Sequence, residues 1–218
     1  MKRPNVLKGL FAAIIVPACM LMACSHSSAP KLSANGETIV MIRHGEKPAA
    51  GLGQLTCKGL NRALALPSLL IGRYGKPDFI YAPNPSVQVK DHSANGYSYI
   101  RPLATIEPTA IRLGMPVNAQ IGYDQIDLLE QALLQPAYAH SLIFVAWEHG
   151  RLHDFAEQML KSYGTNQDQV PDWPGSDYET IYVFHITRTG QNGAPQARLD
   201  VQQEGLTNSL SDSCPGPK

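Results

Sequence analysis

The sequence predicts an α/β fold, a three-layer sandwich in which a mostly parallel central sheet carries helices on both faces. Three observations predict it. Two uninterrupted apolar runs, residues 38–42 and 141–147, have the pattern of strands buried on both sides. Segments with helical spacing alternate with strand-like ones along most of the chain. Each of the two runs stops at a His-Gly pair, His44-Gly45 and His149-Gly150, and open α/β sheets bind ligands beyond the carboxyl ends of their strands.

The elements follow in order. After the first strand, residues 57–74 place Leu60, Ala63, Leu64, Leu66 and Leu70 mostly at helical spacing, with Thr56 as a cap and Pro67 expected to kink or shorten the helix. A short strand is expected over residues 78–82, between Pro77 and Pro83. Residues 98–113 read as a helix with Pro102 near its start, where proline is tolerated, and a weaker helix spans about 124–135, closed by Pro136. The strand at 141–147 leads into a helix carrying Leu152, Phe155, Ala156, Met159 and Leu160. Residues 180–186 and 197–201 read as two late strands joined by a turn at 190–195, a hairpin at a sheet edge.

With 218 residues, 44% hydrophobic and 17% charged, the chain can bury one substantial core, so one folded domain is expected, over residues 37–218. Residues 1–23 have the form of an export signal: a basic start at Met1-Lys2-Arg3, then an apolar run over 9–22 too short to span a bilayer comfortably. Its end, Leu21-Met22-Ala23-Cys24, resembles the lipobox of bacterial lipoproteins. That resemblance implies acylation of Cys24, a tether over 24–36 and a lipid-anchored place in the bacterial cell envelope, with Ser25 pointing to the periplasmic face of the outer membrane. Taking Lys2, Arg3 and Lys8 of the leader from the 18 basic residues leaves 15 against 18 acidic ones, a balance that argues against a nucleic-acid partner. Cys57 and Cys214 either pair or stand as separate thiols, because spacing alone does not bring their backbones together.

The segment Arg43-His44-Gly45-Glu46-Lys47-Pro48 after a buried strand resembles the signature of the histidine phosphatase superfamily, in its phosphoglycerate mutase-like branch. Further matches come in the same order. Leu55-Thr56 with Gly59 and Arg62-Ala63 resembles a Leu-Thr-x-x-Gly-x-x-Arg-Ala segment; Arg101, in Tyr99-Ile100-Arg101-Pro102-Leu103-Ala104-Thr105 with Thr109-Ala110, resembles the helix supplying a second phosphate-binding arginine; His149-Gly150 resembles the second catalytic histidine. The resemblance implies a phosphatase acting on a small phosphorylated substrate through a phosphohistidine on His44, without a metal or other cofactor.

The physical logic runs beside the resemblance. A phosphoryl group in transfer carries negative charge on its equatorial oxygens, so catalysis is mostly positioning and cationic stabilisation. Arg43 and Arg101 offer planar forks of N–H donors, and Lys47 is either a further phosphate contact or half of a solvated pair with Glu46. His44 needs one neutral ring nitrogen to attack phosphorus, so its other nitrogen should donate to a carbonyl on the loop beside Gly45, and nearby arginines should lower its pKa. His149 is cast as a donor to phosphate oxygens. The leaving oxygen needs a proton, for which Glu148 is favoured over Glu107, Asp124 and Asp177. His149 and His153 have the four-residue spacing of metal ligands, but Glu148 precedes the pair instead of lying inside it as a zinc motif requires. The remaining histidines read as ordinary surface or core residues. Two other readings stand beside the phosphatase: an envelope lipoprotein that binds a phosphorylated ligand without turnover, and a phosphomutase.

Overall fold

A computed structural model of the chain describes Met1 and residues 36–92, 94–188 and 194–216. Apart from Met1 and Gly36, the signal, Cys24 and the tether lie outside the described residues, as does most of the turn at 190–195. No helix among the described residues is long and apolar enough to cross a membrane.

Five strands form the main sheet, in the order β2 (Phe79–Tyr81), β5 (Leu142–Trp147), β1 (Glu37–Arg43), β6 (Thr180–Thr187) and β7 (Gln196–Gln203). The first three are mutually parallel, β6 is antiparallel to β1, and β7 pairs antiparallel with β6 at the sheet edge. A separate two-stranded ribbon joins β3 (Gln88–Val89) and β4 (Tyr97–Ser98). Helices α1 (Cys57–Tyr74) and α2 (Arg101–Leu113) cover one face of the sheet; α3 (Ile126–Leu133) and α4 (His149–Ser162) cover the other.

This two-sided cover explains why the strands read as continuous apolar runs and not as alternating ones. Val40 and Ile42 of β1, with Phe144 and Ala146 of β5, pack beneath Leu66, Leu70 and Ile106. Ile39, Met41, Ile143, Val145 and Trp147 face the opposite way, against Leu129, Leu152, Phe155 and Met159. Alternate side chains leave a strand on opposite faces, so both sets must be apolar when both faces are buried.

Thr56 caps α1 as expected, its hydroxyl accepting from the Gly59 N–H at 3.1 Å. The helix runs through Pro67 without ending. A mid-helix proline costs about 3 kcal/mol, but Pro67 lies on the buried side with Leu66 and Leu70, where packing on the sheet outweighs the lost bond. Leu60 and Leu64 are exposed: at 3.6 residues per turn the buried stripe is Gly59, Arg62, Ala63, Leu66 and Leu70. The helix expected from residue 98 starts at Arg101, because Tyr97 and Ser98 are drawn into β4 and Pro102 occupies its first turn.

Cys57 and Cys214 form a disulfide with Cα atoms 4.4 Å apart, tying the start of α1 to the C-terminal segment across 157 residues of sequence. Asn61 strengthens the same junction, its Nδ2 donating to the carbonyls of Ser211 and Ser213. A bridge across so long a loop restricts the unfolded chain strongly. Replacing both cysteines by serine should lower the unfolding free energy by about 2–4 kcal/mol, read from urea denaturation midpoints of the two proteins.

Candidate active site

Strands β1 and β5 lie side by side and parallel, with Arg43 opposite Trp147. Both therefore end at one edge of the sheet, and the His44 N–H donates to the Trp147 carbonyl at 3.0 Å as the last rung between them. Residues immediately beyond the two strands must emerge together. A cleft of about 420 Å³ opens there, lined by Arg43, His44, Lys47, Arg101, Glu148 and His149 among others. Residues far apart in sequence thus meet around one hollow.

His44 is 1% exposed. Its Nδ1 lies 2.8 Å from the Gly45 carbonyl, which can only accept, so Nδ1 carries the proton. Its Nε2 accepts from Arg101 Nε at 3.1 Å, which requires the same tautomer. Burial first, then the Arg101 charge and more weakly Arg43, push the His44 pKa well below the usual imidazole range; the Gly45 carbonyl opposes them. The side chain is a neutral imidazole whose lone pair faces the arginines.

The loop that carries it is held by close contact. A Cβ on Gly45 would sit 2.8 Å from the Gly59 carbonyl oxygen, and one on Gly59 would sit 2.5 Å from that of Glu46. Gly45 therefore serves the close approach of the loop to α1. Its N–H donates to Thr105 Oγ1 at 2.9 Å, which joins the loop to α2. Glu46 turns inward to the buried Arg62 instead of pairing with Lys47.

Arg43 and Arg101 are 2% and 3% exposed. Arg43 Nη1 donates to the carbonyls of Gly175 (2.9 Å) and Asp177 (2.7 Å), and its guanidinium carbon lies 3.9 Å from the centre of the Tyr178 ring. Its buried Nε has no hydrogen-bond partner, and the side chain forms part of the cleft wall. Arg101 stacks 4.6 Å from the Tyr99 ring. Each cation rests on a tyrosine face, which offsets part of its desolvation. The Nη atoms of Arg101 are both engaged by Asp91.

Glu148 ends in the cleft and caps α4, its Oε2 accepting from the Arg151 N–H at 2.9 Å. Its Oε1 lies 2.5 Å from His149 Nδ1, an ion contact whose angle leaves that nitrogen without an aligned hydrogen bond. Burial raises the Glu148 pKa, but His149 and the helix N–H groups outweigh it and hold the carboxyl down to about 2. Without a ligand Glu148 is therefore a carboxylate, a state that does not suit an acid.

The other carboxyls considered as donors do not reach the cleft. Glu107 and Asp124 are exposed, and neither lines it. Asp177 uses its carboxylate on Glu179 N, Thr180 N and the Thr180 hydroxyl, offering only its backbone carbonyl to Arg43. His153 Nδ1 lies 3.9 Å from Glu157 Oε2. Among the described residues no group of three or more His, Cys, Asp or Glu side chains is arranged to hold a metal ion.

The lining also holds residues that sequence reasoning passed over: Asp91, Tyr123, Arg151 and Asp154. For Asp91 a signal existed. Asn95-Gly96 is a turn-forming pair within residues 90–96, between Val87-Gln88-Val89 and Tyr97-Ser98-Tyr99, which makes a short ribbon with Asp91 in its loop legible. Nothing in the sequence, though, indicates that the ribbon folds back onto Arg101.

No protein-family model and no curated protein matches the chain. Solved structures named as phosphatases are among those similar to the chain. One from Nakamurella multipartitia, assigned as a phosphohistidine phosphatase SixA, has a TM-score of 0.50 at 18% identity, over 78% of this chain and 96% of its own. One from Escherichia coli, assigned as an alpha-ribazole-5'-P phosphatase, has a TM-score of 0.51 at 14% identity, over 84% of this chain and 100% of its own. The mycobacterial glucosyl-3-phosphoglycerate phosphatase has a TM-score of 0.50 at 14% identity, over 76% and 97%. At these identities the likeness is one of fold, the α/β sandwich of mostly parallel central strands between helical layers.

Proposed function

We propose that the chain is a phosphatase of the histidine phosphatase superfamily that hydrolyses a small phosphate monoester through a phosphohistidine on His44. One observation carries this reading: a buried, neutral His44, its tautomer set by the Gly45 carbonyl, presents Nε2 to a cleft walled by Arg43, Arg101 and His149.

In the first step the Nε2 lone pair attacks phosphorus, the P–O ester bond breaks, and its electrons pass to the leaving oxygen, which takes a proton. Arg101 Nε–H turns from Nε2 to a phosphate oxygen, and Arg43 and His149, which also line the cleft, add N–H donors. Glu148 supplies the proton: an incoming phosphate dianion beside it opposes its charge and raises its pKa from the low value set by His149. In the second step the Glu148 carboxylate takes a proton from water, the water oxygen attacks phosphorus, and the P–N bond breaks to restore neutral His44. Lys47 at the mouth adds positive charge for capture of the anion.

Alkaline quenching during turnover of a phosphorus-labelled ester should leave label on the protein, on a peptide containing His44. Steady turnover with no labelled histidine at any time point would contradict the mechanism.

The ionised state of Glu148 favours a second reading, a binder of phosphorylated ligands without turnover. In that case inorganic phosphate would bind in the cleft while no alcohol is released from any ester. The envelope location belongs to the same proposal and rests on the leader and Cys24; incorporation of labelled palmitate, lost in Cys24→Ala, is the expected result.

A further inference from the structure

Asp91 sits on the loop between β3 and β4, and its side chain is 6% exposed. Oδ1 accepts from Arg101 Nη2 at 3.0 Å; Oδ2 accepts from Arg101 Nη1 and from the Gly53 N–H, the latter at 3.2 Å; Lys47 Nζ lies 3.7 Å from Oδ1. The place is built for this carboxylate. Gly51 has φ 78°, and a Cβ there would lie 2.3 Å from the Asp91 Cβ, so the loop after His44 is hollowed where Asp91 docks. Asp91 and His92 both hold left-handed backbone, φ 32° and 67°, a conformation uncommon for non-glycine residues and most often taken by Asn, Asp and His.

A guanidinium has five N–H donors in one plane. Asp91 takes one from each Nη, end-on, and the Nε donor points at His44 Nε2. The geometry points to Asp91 as a positioning residue: it holds Arg101 by its far end so that a phosphoryl group is met along the Nε edge, with phosphorus facing His44 Nε2. This inference rests on the phosphatase reading. Without the carboxylate, a phosphate dianion would draw both Nη groups to itself, the usual fork geometry, and would sit out of line with the nucleophile. The Arg101 and Lys47 charges in turn hold Asp91 ionised, its pKa below the usual carboxylate range although burial opposes this.

Asp91→Asn keeps the shape and removes the charge. With an aryl phosphate as substrate, we expect kcat to fall by roughly 10- to 100-fold with KM changed by less than about threefold, because alignment and not ground-state binding is lost. Inhibition by vanadate should weaken by a similar factor, while the thermal midpoint stays near that of the parent. A readout independent of turnover is the pair of Arg101 Nη resonances in 15N-labelled protein, assigned by their loss in Arg101→Lys. These should be resolved by hindered rotation in the parent and averaged in Asp91→Asn. Averaged resonances in the parent, or unchanged kcat in the variant, would overturn the inference. Tighter phosphate binding with higher kcat/KM in the variant would also overturn it, marking Asp91 as a plug that substrate displaces. If the parent protein hydrolyses no phosphate ester, the phosphatase reading fails, and the Arg101 resonances still decide whether Asp91 fixes the guanidinium.

Discussion

His44→Ala should lower kcat on any phosphate ester by about 10⁴-fold or more. No other side chain in the cleft presents a neutral nitrogen lone pair next to two buried guanidinium groups, so none replaces it. His149 is the other imidazole in the lining, and its Nδ1 faces Glu148. The clamp should survive, because Arg43 is held by the carbonyls of Gly175 and Asp177 and Arg101 by Asp91, none of which depends on His44. Phosphate affinity, read by calorimetry, should therefore remain within about tenfold of the parent value. The fold should lose about 2 kcal/mol, because the imidazole gives up two hydrogen bonds, one to Gly45 O and one from Arg101 Nε, each worth about 1 kcal/mol. A variant that retains more than about a hundredth of the parent kcat would rule out His44 as nucleophile.

Arg62→Met should destabilise the fold by about 3–5 kcal/mol. Arg62 is 0% exposed and serves three carboxylates: Glu46 through Nε (3.0 Å) and Nη2 (2.8 Å), Glu179 through Nη1 (2.9 Å), and Glu204 through Nη1. Nη2 also donates to Thr207 Oγ1 at 2.9 Å. Methionine fills similar space but leaves three acids facing one another with no cation among them. The same cluster joins α1, the loop two residues past His44, the start of β6 and the segment after β7, so activity should fall with stability.

The cluster also predicts an alkaline limit. Burial pushes the Glu204 carboxyl up to about 8; Arg62 pulls it down, and Glu179 and Glu46 push it further up. A carboxyl raised on folding binds its proton more tightly in the native state. Its stabilising contribution is complete below the unfolded value near 4.5 and is lost as pH rises to about 8. Urea midpoints of the parent should fall between about pH 5 and 8 and level off above that, and Glu204→Gln should flatten the fall. An equal decline in both proteins would remove Glu204 as its cause.

Local pattern settled a good deal of this protein. The apolar runs at β1 and β5 declare strands covered on both faces, Thr56 starts α1, and two His-Gly pairs at strand ends announce where a site should be. These signals are local: each depends on side-chain periodicity or on one hydrogen bond three residues away. Parallel pairing of β1 with β5 then brings His44 and His149 to one edge, and Arg101 arrives with α2.

Only the tertiary structure decided the rest, because it depends on contacts between segments that carry no mutual mark in the chain. The run through Pro67 follows from the packing of α1 on the sheet, and the pairing of Cys57 with Cys214 from where the chain returns after β7. Glu46 looks like a surface partner of Lys47 until Arg62 is seen beneath it. In the sequence Glu148 stands ahead of Glu107, Asp124 and Asp177 only by its place beside His149; exposure and hydrogen bonding in the fold separate them. Asp91 lay in a polar stretch ahead of the turn-forming Asn95-Gly96 pair, with no mark of its partner, and the fold set it against Arg101. Periodicity fixes which face a residue takes, whereas the electrostatic role of a charge is fixed by whichever distant charge the fold places beside it.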